Sequence, residues 1–264
     1  MHPIINVANK AALAAGREIL RALDRLDTLT LTSKGPHDWA TDVDERAEQI
    51  IIDTIRHSYP SHTVLGEEGG AQNLSGDHAT DSEHLWIIDP IDGTINFTYG
   101  LPTFCISIAK AYRGKVEHAA IFDPVRQELF NASYGEGAFL NNRRIRVRQT
   151  ALNNALLSVV NGSIISDKPS TDQFLNYYTT LFTKAAKIRQ QGTVALDCAY
   201  VAAGRLDGLL AFNMSYWDLA AGALIIQEAG GTAWDFYQKT SYSNRDNLVA
   251  GNYELVNKII ATLT

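Results

Sequence analysis

Apolar residues at Ile4, Ala8, Ala11, Ala15, Ile19, Ala22 and Leu26 recur at steps of three and four. That period lines one face of an α-helix. It returns from about Val43 to His57, with Val43, Ala47, Ile50, Ile51 and Ile55 facing inward. Between the two helices, Lys34 to Asp38 reads as a loop. Branched and aromatic runs predict strands at Thr63–Leu65, Leu85–Ile88, Phe104–Ala111, Val116–Phe122, Glu128–Ala132 and Ile145–Val147. Arg113-Gly114, Asp123-Pro124 and Asn141-Asn142 mark turns between them, and the polar stretch Gly69–His84 predicts a mobile surface excursion. Beyond Thr150 helix and strand signals mix. The expected order is strand Leu156–Val160, loop Gly162–Asp172, helix Gln173–Thr183, strand Lys187–Arg189 and helix Val194–Ala203. Strand Gly208–Phe212, helix Tyr216–Ala229, strand Leu248–Ala250 and helix Tyr253–Leu263 follow. Such an order predicts an α/β layered sandwich of alternating helix and mixed-sheet layers. Two halves, 1–150 (α+β) and 151–264 (α/β), are expected to pack closely as one unit.

Composition narrows the classes. A chain of 264 residues, 45% hydrophobic and 20% charged, has the length and balance of a globular enzyme with a sizeable core. A net charge of −6 argues against a general nucleic-acid binder. Two cysteines, Cys105 and Cys198, both in apolar runs, fit a reducing cytoplasm better than a disulfide framework. No apolar run reaches membrane-spanning length, and Lys10, Arg17, Glu18 and Arg21 interrupt what would be a signal-like start. The seven histidines show no metalloprotease or triad spacing and read as surface residues.

Chemistry concentrates in Trp86-Ile87-Ile88-Asp89-Pro90-Ile91-Asp92-Gly93-Thr94-Ile95-Asn96-Phe97. A buried strand delivers Asp89, Pro90 is expected to stop sheet pairing, and Asp92 follows. Two close carboxylates repel unless a positive charge lies between them. Oxygen ligands favour a hard cation such as Mg²⁺, and backbone N–H groups at Gly93 and Thr94 suit an anion. Asp-Pro and Asp-Gly are also common turn formers. Glu67 and Glu68 follow Gly66 after a strand, either as ligands or as an acidic loop tip. Asp218 opens a helix apolar nearly all round, which must be buried; Ser215-x-x-Asp218 also fits a capping box, as Thr41-x-x-Asp44 does.

Taken together, Gly66-Glu67-Glu68, the Trp86–Phe97 run, Trp217-Asp218-x-Ala220-Ala221-Gly222 and Glu228-Ala229-Gly230-Gly231 resemble the inositol monophosphatase family. Met1-His2-Pro3-Ile4 and the Leu196–Gly208 segment are most similar to its bacterial, SuhB-like branch. The resemblance implies the layered fold of sugar phosphatases and a metal-binding N-terminal half. It implies Mg²⁺ in two or three sites, with Mn²⁺ an alternative. Glu67, Asp89 and the Ile91 carbonyl would hold one ion; Asp89, Asp92 and Asp218 a second. Asp44, Glu67 and Thr94 would position the attacking water. Asp92, Gly93, Thr94, Gly192, Thr193 and Val194 would bind substrate. Hydrolysis of inositol-1-phosphate, lithium sensitivity, a homodimer and a cytoplasmic location are further implications.

Ala211 departs from the family, many of whose members place a glutamate there to bond ring hydroxyls; Asn213 is the nearest substitute. Another sugar phosphate or a nucleotide phosphate is therefore an alternative substrate. A rival from another class rests on Arg144, Arg146 and Arg148, alternating along one edge. Such a row can contact RNA or an acidic protein, and SuhB-type proteins are associated with transcription complexes; it also suits a solvated edge strand.

Overall fold

The structure, a computed structural model, describes residues 2–26, 31–35, 38–72, 82–162, 168–240 and 246–263. Helix α1 (Pro3–Leu23) begins at a proline, with the His2 side chain accepting from the Ile4 N–H. It stops one turn short of Leu26, which still packs partly buried against its cluster. The expected loop at Lys34–Asp38 is largely antiparallel hairpin, β1 (Leu31–Gly35) with β2 (Asp38–Thr41); residues 36–37 lie outside the described set. Helix α2 (Asp42–Ser58) buries Val43, Ala47, Ile51, Ile52 and Ile55, so Ile52 takes the inward place expected of Ile50.

The large sheet is built from β3 (Thr63–Gly66), β4 (Gly70–Gln72), β5 (His84–Asp92), β6 (Cys105–Tyr112), β7 (Lys115–Asp123), β8 (Glu128–Ser133), β9 (Gly137–Leu140) and β10 (Arg143–Arg144); the short α3 (Thr94–Thr98) follows β5. Its order is β10-β9-β8-β7-β6-β5-β3-β4, antiparallel except where β3 runs parallel to β5. Most of the expected surface excursion, residues 73–81, lies outside the described residues. The strand expected at Ile145–Val147 does not extend the ladder, because β10 ends at Arg144. Alternation persists there regardless: Val147 is buried, while Arg144, Arg146 and Arg148 are exposed.

A second sheet contains β11 (Leu156–Asn161), β12 (Lys187–Arg189), β13 (Gly208–Met214), β14 (Thr232–Trp234) and β15 (Asp246–Gly251), ordered β12-β11-β13-β15-β14. Helix α4 (Lys168–Lys184) starts five residues before its expected Gln173. The remaining helices are α5 (Val194–Ala202), α6 (Tyr216–Glu228) and α7 (Tyr253–Leu263).

Strand alternation sorts these elements into five layers. On β5, Trp86 and Ile88 join the cluster formed with α1 and α2, whereas Leu85 and Ile87 join the cluster containing α5 and α6. The other side of α5 and α6 meets Leu209, Ala211, Leu248 and Ala250 of the second sheet. Leu210 and Val249 on its far face pack with α4 and α7. Helices α5 and α6 are covered by sheets on both sides, which explains why they are apolar nearly all round. Among the described residues no helix is long and apolar enough to cross a membrane.

Two histidines contradict the surface expectation. His62 is buried, accepts from the Trp86 indole at 3.0 Å and stacks on Tyr59 and His84. His118 is buried against Ser133, 2.9 Å away, and stacks on His2. Burial lowers each imidazole pKa to about 4. Aromatic stacking buries a neutral imidazole readily, and nothing in local spacing announces it.

Candidate active site

In a regular strand, Asp89 and Asp92, three positions apart, would face opposite sides of the sheet. The ladder with β6 pairs Asp89 with Ser107 and Asp92 with Cys105, so three steps on β5 match two on β6. That extra residue is a bulge. It brings both acids to one side. Pro90 therefore does not end the strand as expected: it sits inside β5, at the bulge, where its missing N–H removes no ladder bond that a regular pair would make. The Asp89 carboxylate accepts from the Ile91 N–H at 3.0 Å, which fixes the turn of the bulge.

From the start of α6, Asp218 meets this pair. Ligand atoms of Asp89, Asp92 and Asp218 lie within 4.8 Å of one another. Asp218 also closes the capping box, accepting from the Ser215 N–H at 2.8 Å. Glu67, on the turn after β3, shares a hydrogen bond with Asp89. Burial, together with the charges of Glu67, Asp92 and Asp218, pushes the Asp89 carboxyl well above the usual carboxylate range. Burial also raises Asp92, against hydrogen bonds from Thr193, Ala195 and Val194 that pull it down. One Asp92 oxygen, Oδ2, is committed to the Thr193 hydroxyl (2.6 Å), the Ala195 N–H (2.7 Å) and the more distant Cys105 thiol (3.8 Å). Oδ1 is left for the cage.

Asp44 divides its oxygens in the same way. Oδ2 accepts from the Thr41 N–H, as a capping box requires, and also from the Thr41 hydroxyl, while Oδ1 lies 3.1 Å from the Thr94 hydroxyl. Thr94 Oγ1 is also 3.0 Å from the Ile91 carbonyl. Its single hydrogen therefore points toward acceptors and its lone pairs remain for a donor. Gly93, which precedes α3, has φ of 100°, and a Cβ there would come within 3.3 Å of backbone oxygens of Thr103 and Gly192.

Glu48 belongs to the same construction, although the sequence reading passed over it. One helical turn beyond Asp44 and nearly fully buried, it accepts from the N–H groups of Glu68 (3.0 Å) and Gly69 (2.7 Å). A Cβ on Gly66 would lie 2.3 Å from its carboxylate and would push that carboxylate off the two N–H groups. A glutamate on the inward face of α2, between Ala47 and Ile51, was the available signal.

Gly192, Thr193 and Val194 come together with Glu67, Asp92, Gly93, Thr94 and Asp218 around one cleft of about 320 Å³. Ile95, Asn96, Val160, Asn161, Gly162 and Met214 complete its wall. Asp89 lies beneath, fully buried. Ala211 is buried in β13 toward α5 and α6, away from the cleft. A register shift between Ala211 and Met214 puts Met214 on the cleft, whereas Asn213, at φ of 56°, is not part of its lining. Both cysteines are buried and free.

Clustered carboxylates at this depth suit a hard divalent cation. Only oxygen donors converge, their combined charge is negative, and the central acid is destabilised as an anion in the cation's absence. Fold and site thus define a layered α/β protein with a carboxylate cage opening on a small polar cleft. The inositol monophosphatase family's sequence profile matches residues 1–264. The chain belongs to that family, a family of phosphatases, as its motifs imply. Nus factor SuhB of Pseudomonas aeruginosa is 44% identical over 264 residues, covering 100% of this chain and 96% of the relative. The crystal structure of the extragenic suppressor protein SuhB from Bartonella henselae superposes with a TM-score of 0.92 at 35% identity, covering 100% and 99% of the two chains. An IMPase from Thermotoga maritima gives 0.86 at 31% identity, with 99% and 97% covered.

Proposed function

We propose that this protein hydrolyses a small phosphate monoester, with inositol-1-phosphate the first candidate, in the presence of Mg²⁺. The observation that supports this best is the approach of Asp89, Asp92 and Asp218 within 4.8 Å, joined by Glu67. Glu67, Asp89 and the Ile91 carbonyl would hold one ion, and Asp89, Asp92 and Asp218 a second. When bound, such cations activate water, neutralise phosphoryl charge and stabilise a leaving alkoxide. Thr94 and Asp44 are hydrogen-bonded to each other; with Glu67 they orient the incoming water and accept its proton. The Gly93 and Thr94 N–H groups hold a phosphate oxygen, and Gly192–Val194 face the alcohol portion. A homodimer, inhibition by Li⁺ and a cytoplasmic location extend the same proposal.

Phosphate release from a panel of inositol, sugar and nucleotide monophosphates, with Mg²⁺, Mn²⁺ or EDTA, tests it. Metal-dependent release led by an inositol phosphate is expected. No release from any ester would overturn it, and a sugar or nucleotide phosphate in first place would move the substrate to that alternative class.

A second reading is motivated by relatives named Nus factor SuhB and by the exposed Arg144, Arg146 and Arg148. It makes the chain also a partner of a transcription complex. In a pull-down, Arg144→Glu with Arg146→Glu is expected to weaken capture while phosphate release persists. Undiminished capture removes this patch.

A further inference from the structure

Gln191 immediately precedes the Gly192–Val194 wall of the cleft and is tethered at both ends. Its carbonyl accepts from Asn96 Nδ2 at 2.7 Å, and the same amide nitrogen donates to the Thr103 carbonyl at 2.7 Å. Its side-chain Nε2 donates to Asp197 Oδ1 at 2.7 Å. Asp197 lies one turn into α5 and has no measurable exposure. Its other oxygen accepts from the Ser158 hydroxyl at 2.6 Å. Ser158 is equally buried and lies on β11, which runs on to Val160 and Asn161, themselves in the lining of the cleft.

An amide and a hydroxyl, with no cation, are thus what hold this buried carboxyl. An apolar residue would suit a helix enclosed between two sheets better on stability alone. What Asp197 adds is connection. Within one turn of α5, Thr193 and Ala195 grip Asp92 of the cage, while Asp197 grips Gln191. Gly192 between them has φ of 77°, a conformation without a side chain to hold it in place. Its position depends on the residues on either side.

We infer that Asp197 is a positioning residue: through Gln191 on one side and Ser158 on the other, it holds the Gly192–Val194 wall preformed to receive the alcohol portion of the phosphate ester. It touches neither the cage nor the reacting atoms. Its loss therefore weakens substrate binding more than turnover, because a wall that must be ordered on binding lowers affinity. This inference rests on the phosphatase proposal for the chemistry of the ligand.

Three variants and two readouts test it. Asp197→Leu keeps the branched outline, at a larger volume, but removes both hydrogen bonds. Asp197→Asn presents an oxygen to Gln191 and an amide to Ser158, whose hydroxyl can reverse. Gln191→Ala cuts the tether at a half-buried position and avoids disturbing the interior of α5. For the preferred ester, Asp197→Leu and Gln191→Ala are each expected to raise KM about tenfold or more, with kcat within about threefold, a split that marks lost binding. Asp197→Asn restores KM to within about threefold, and combining Gln191→Ala with Asp197→Leu adds little to either. Without metal or substrate, amide hydrogen exchange at residues 192–194 is faster in Asp197→Leu and Gln191→Ala than in the wild type or Asp197→Asn. Unchanged KM and exchange in Gln191→Ala, or an Asp197→Asn defect as large as that of Asp197→Leu, overturns the inference. A wild-type protein that hydrolyses no ester defeats the phosphatase proposal instead, and the exchange experiment still decides whether Asp197 orders the wall.

Discussion

Asp89 is subject to opposing demands. Its burial beside Glu67, Asp92 and Asp218 raises its pKa, so as an anion without metal it destabilises the fold that places it. Substitution Asp89→Asn keeps an oxygen for the Ile91 N–H and removes the repulsion. Metal-free protein carrying it is expected to gain about 1–3 kcal/mol, seen by calorimetry as a rise of several degrees in Tm. The rise in Tm that Mg²⁺ gives the wild type should vanish with it. A lowered metal-free Tm would show that Asp89 is held by something other than a cation. At Thr94 the chemistry is separable from the fold. Thr94→Val removes the hydroxyl that meets Asp44 while preserving shape; kcat is expected to fall about 10²–10³-fold, with Thr94→Ser retaining most of it. Equal rates in Thr94→Val would remove this hydroxyl from the water-positioning group.

Among the elements, α2 works hardest for the site. Its capping-box acid, Asp44, and its buried Glu48, a turn later, reach two different pieces of it: Thr94 and the turn carrying Glu67. Glu48→Gln can satisfy only one of the two N–H groups through its oxygen without turning an amide toward the other. The expected loss is about 1–3 kcal/mol of stability and a several-fold rise in the Mg²⁺ concentration for half-maximal phosphate release. An unchanged metal requirement would make Glu48 purely structural. Helices α1, α2 and α7 were legible from an apolar period that runs over many residues, and α5 and α6 from runs that are apolar on nearly every face. Strands β4, β9 and β14, three or four residues each, were not. At that length a neighbour's hydrogen bonds decide strand pairing, and side-chain pattern carries little information. The bulge in β5 escaped for the same reason, since Asp-Pro-Ile-Asp states two acids but not which face each takes.

Across the whole molecule, two sets of groups give stability opposite dependences on pH. His62 and His118 have folded-state values near 4, below the ordinary 6.5. The unfolded chain then binds more protons between those limits, so their contribution is fully present above pH 6.5 and is lost as pH falls toward 4. Asp89 and Asp92 are shifted upward. Without metal, the folded state holds the extra protons, and stability is lost as pH rises from the ordinary carboxylate value through the raised ones. Saturating Mg²⁺ removes that second loss. With Mg²⁺ bound, Asp197, which burial raises to about 7, loses stability over pH 4 to 6.5 while the histidines gain it. The change in Tm over that range is therefore expected to be less positive in His62→Gln and His118→Gln than in the wild type. The gain in Tm from Mg²⁺ should be larger at pH 8 than at pH 5.5. A gain independent of pH would mean that the cation does not bind the shifted acids. What the chain by itself determined was the set of amphipathic segments and the residues that carry chemistry, because periodicity and residue type are local properties. Which face Asp92 takes, which oxygen of Asp44 or Asp218 caps a helix, that His62 and His118 are enclosed, and that Ala211 lies away from the cleft were decided only in three dimensions. Each depends on a partner distant in sequence: β6 for the bulge, Thr94 for Asp44, Trp86 and Ser133 for the histidines, and the layer formed by α5 and α6 for Ala211.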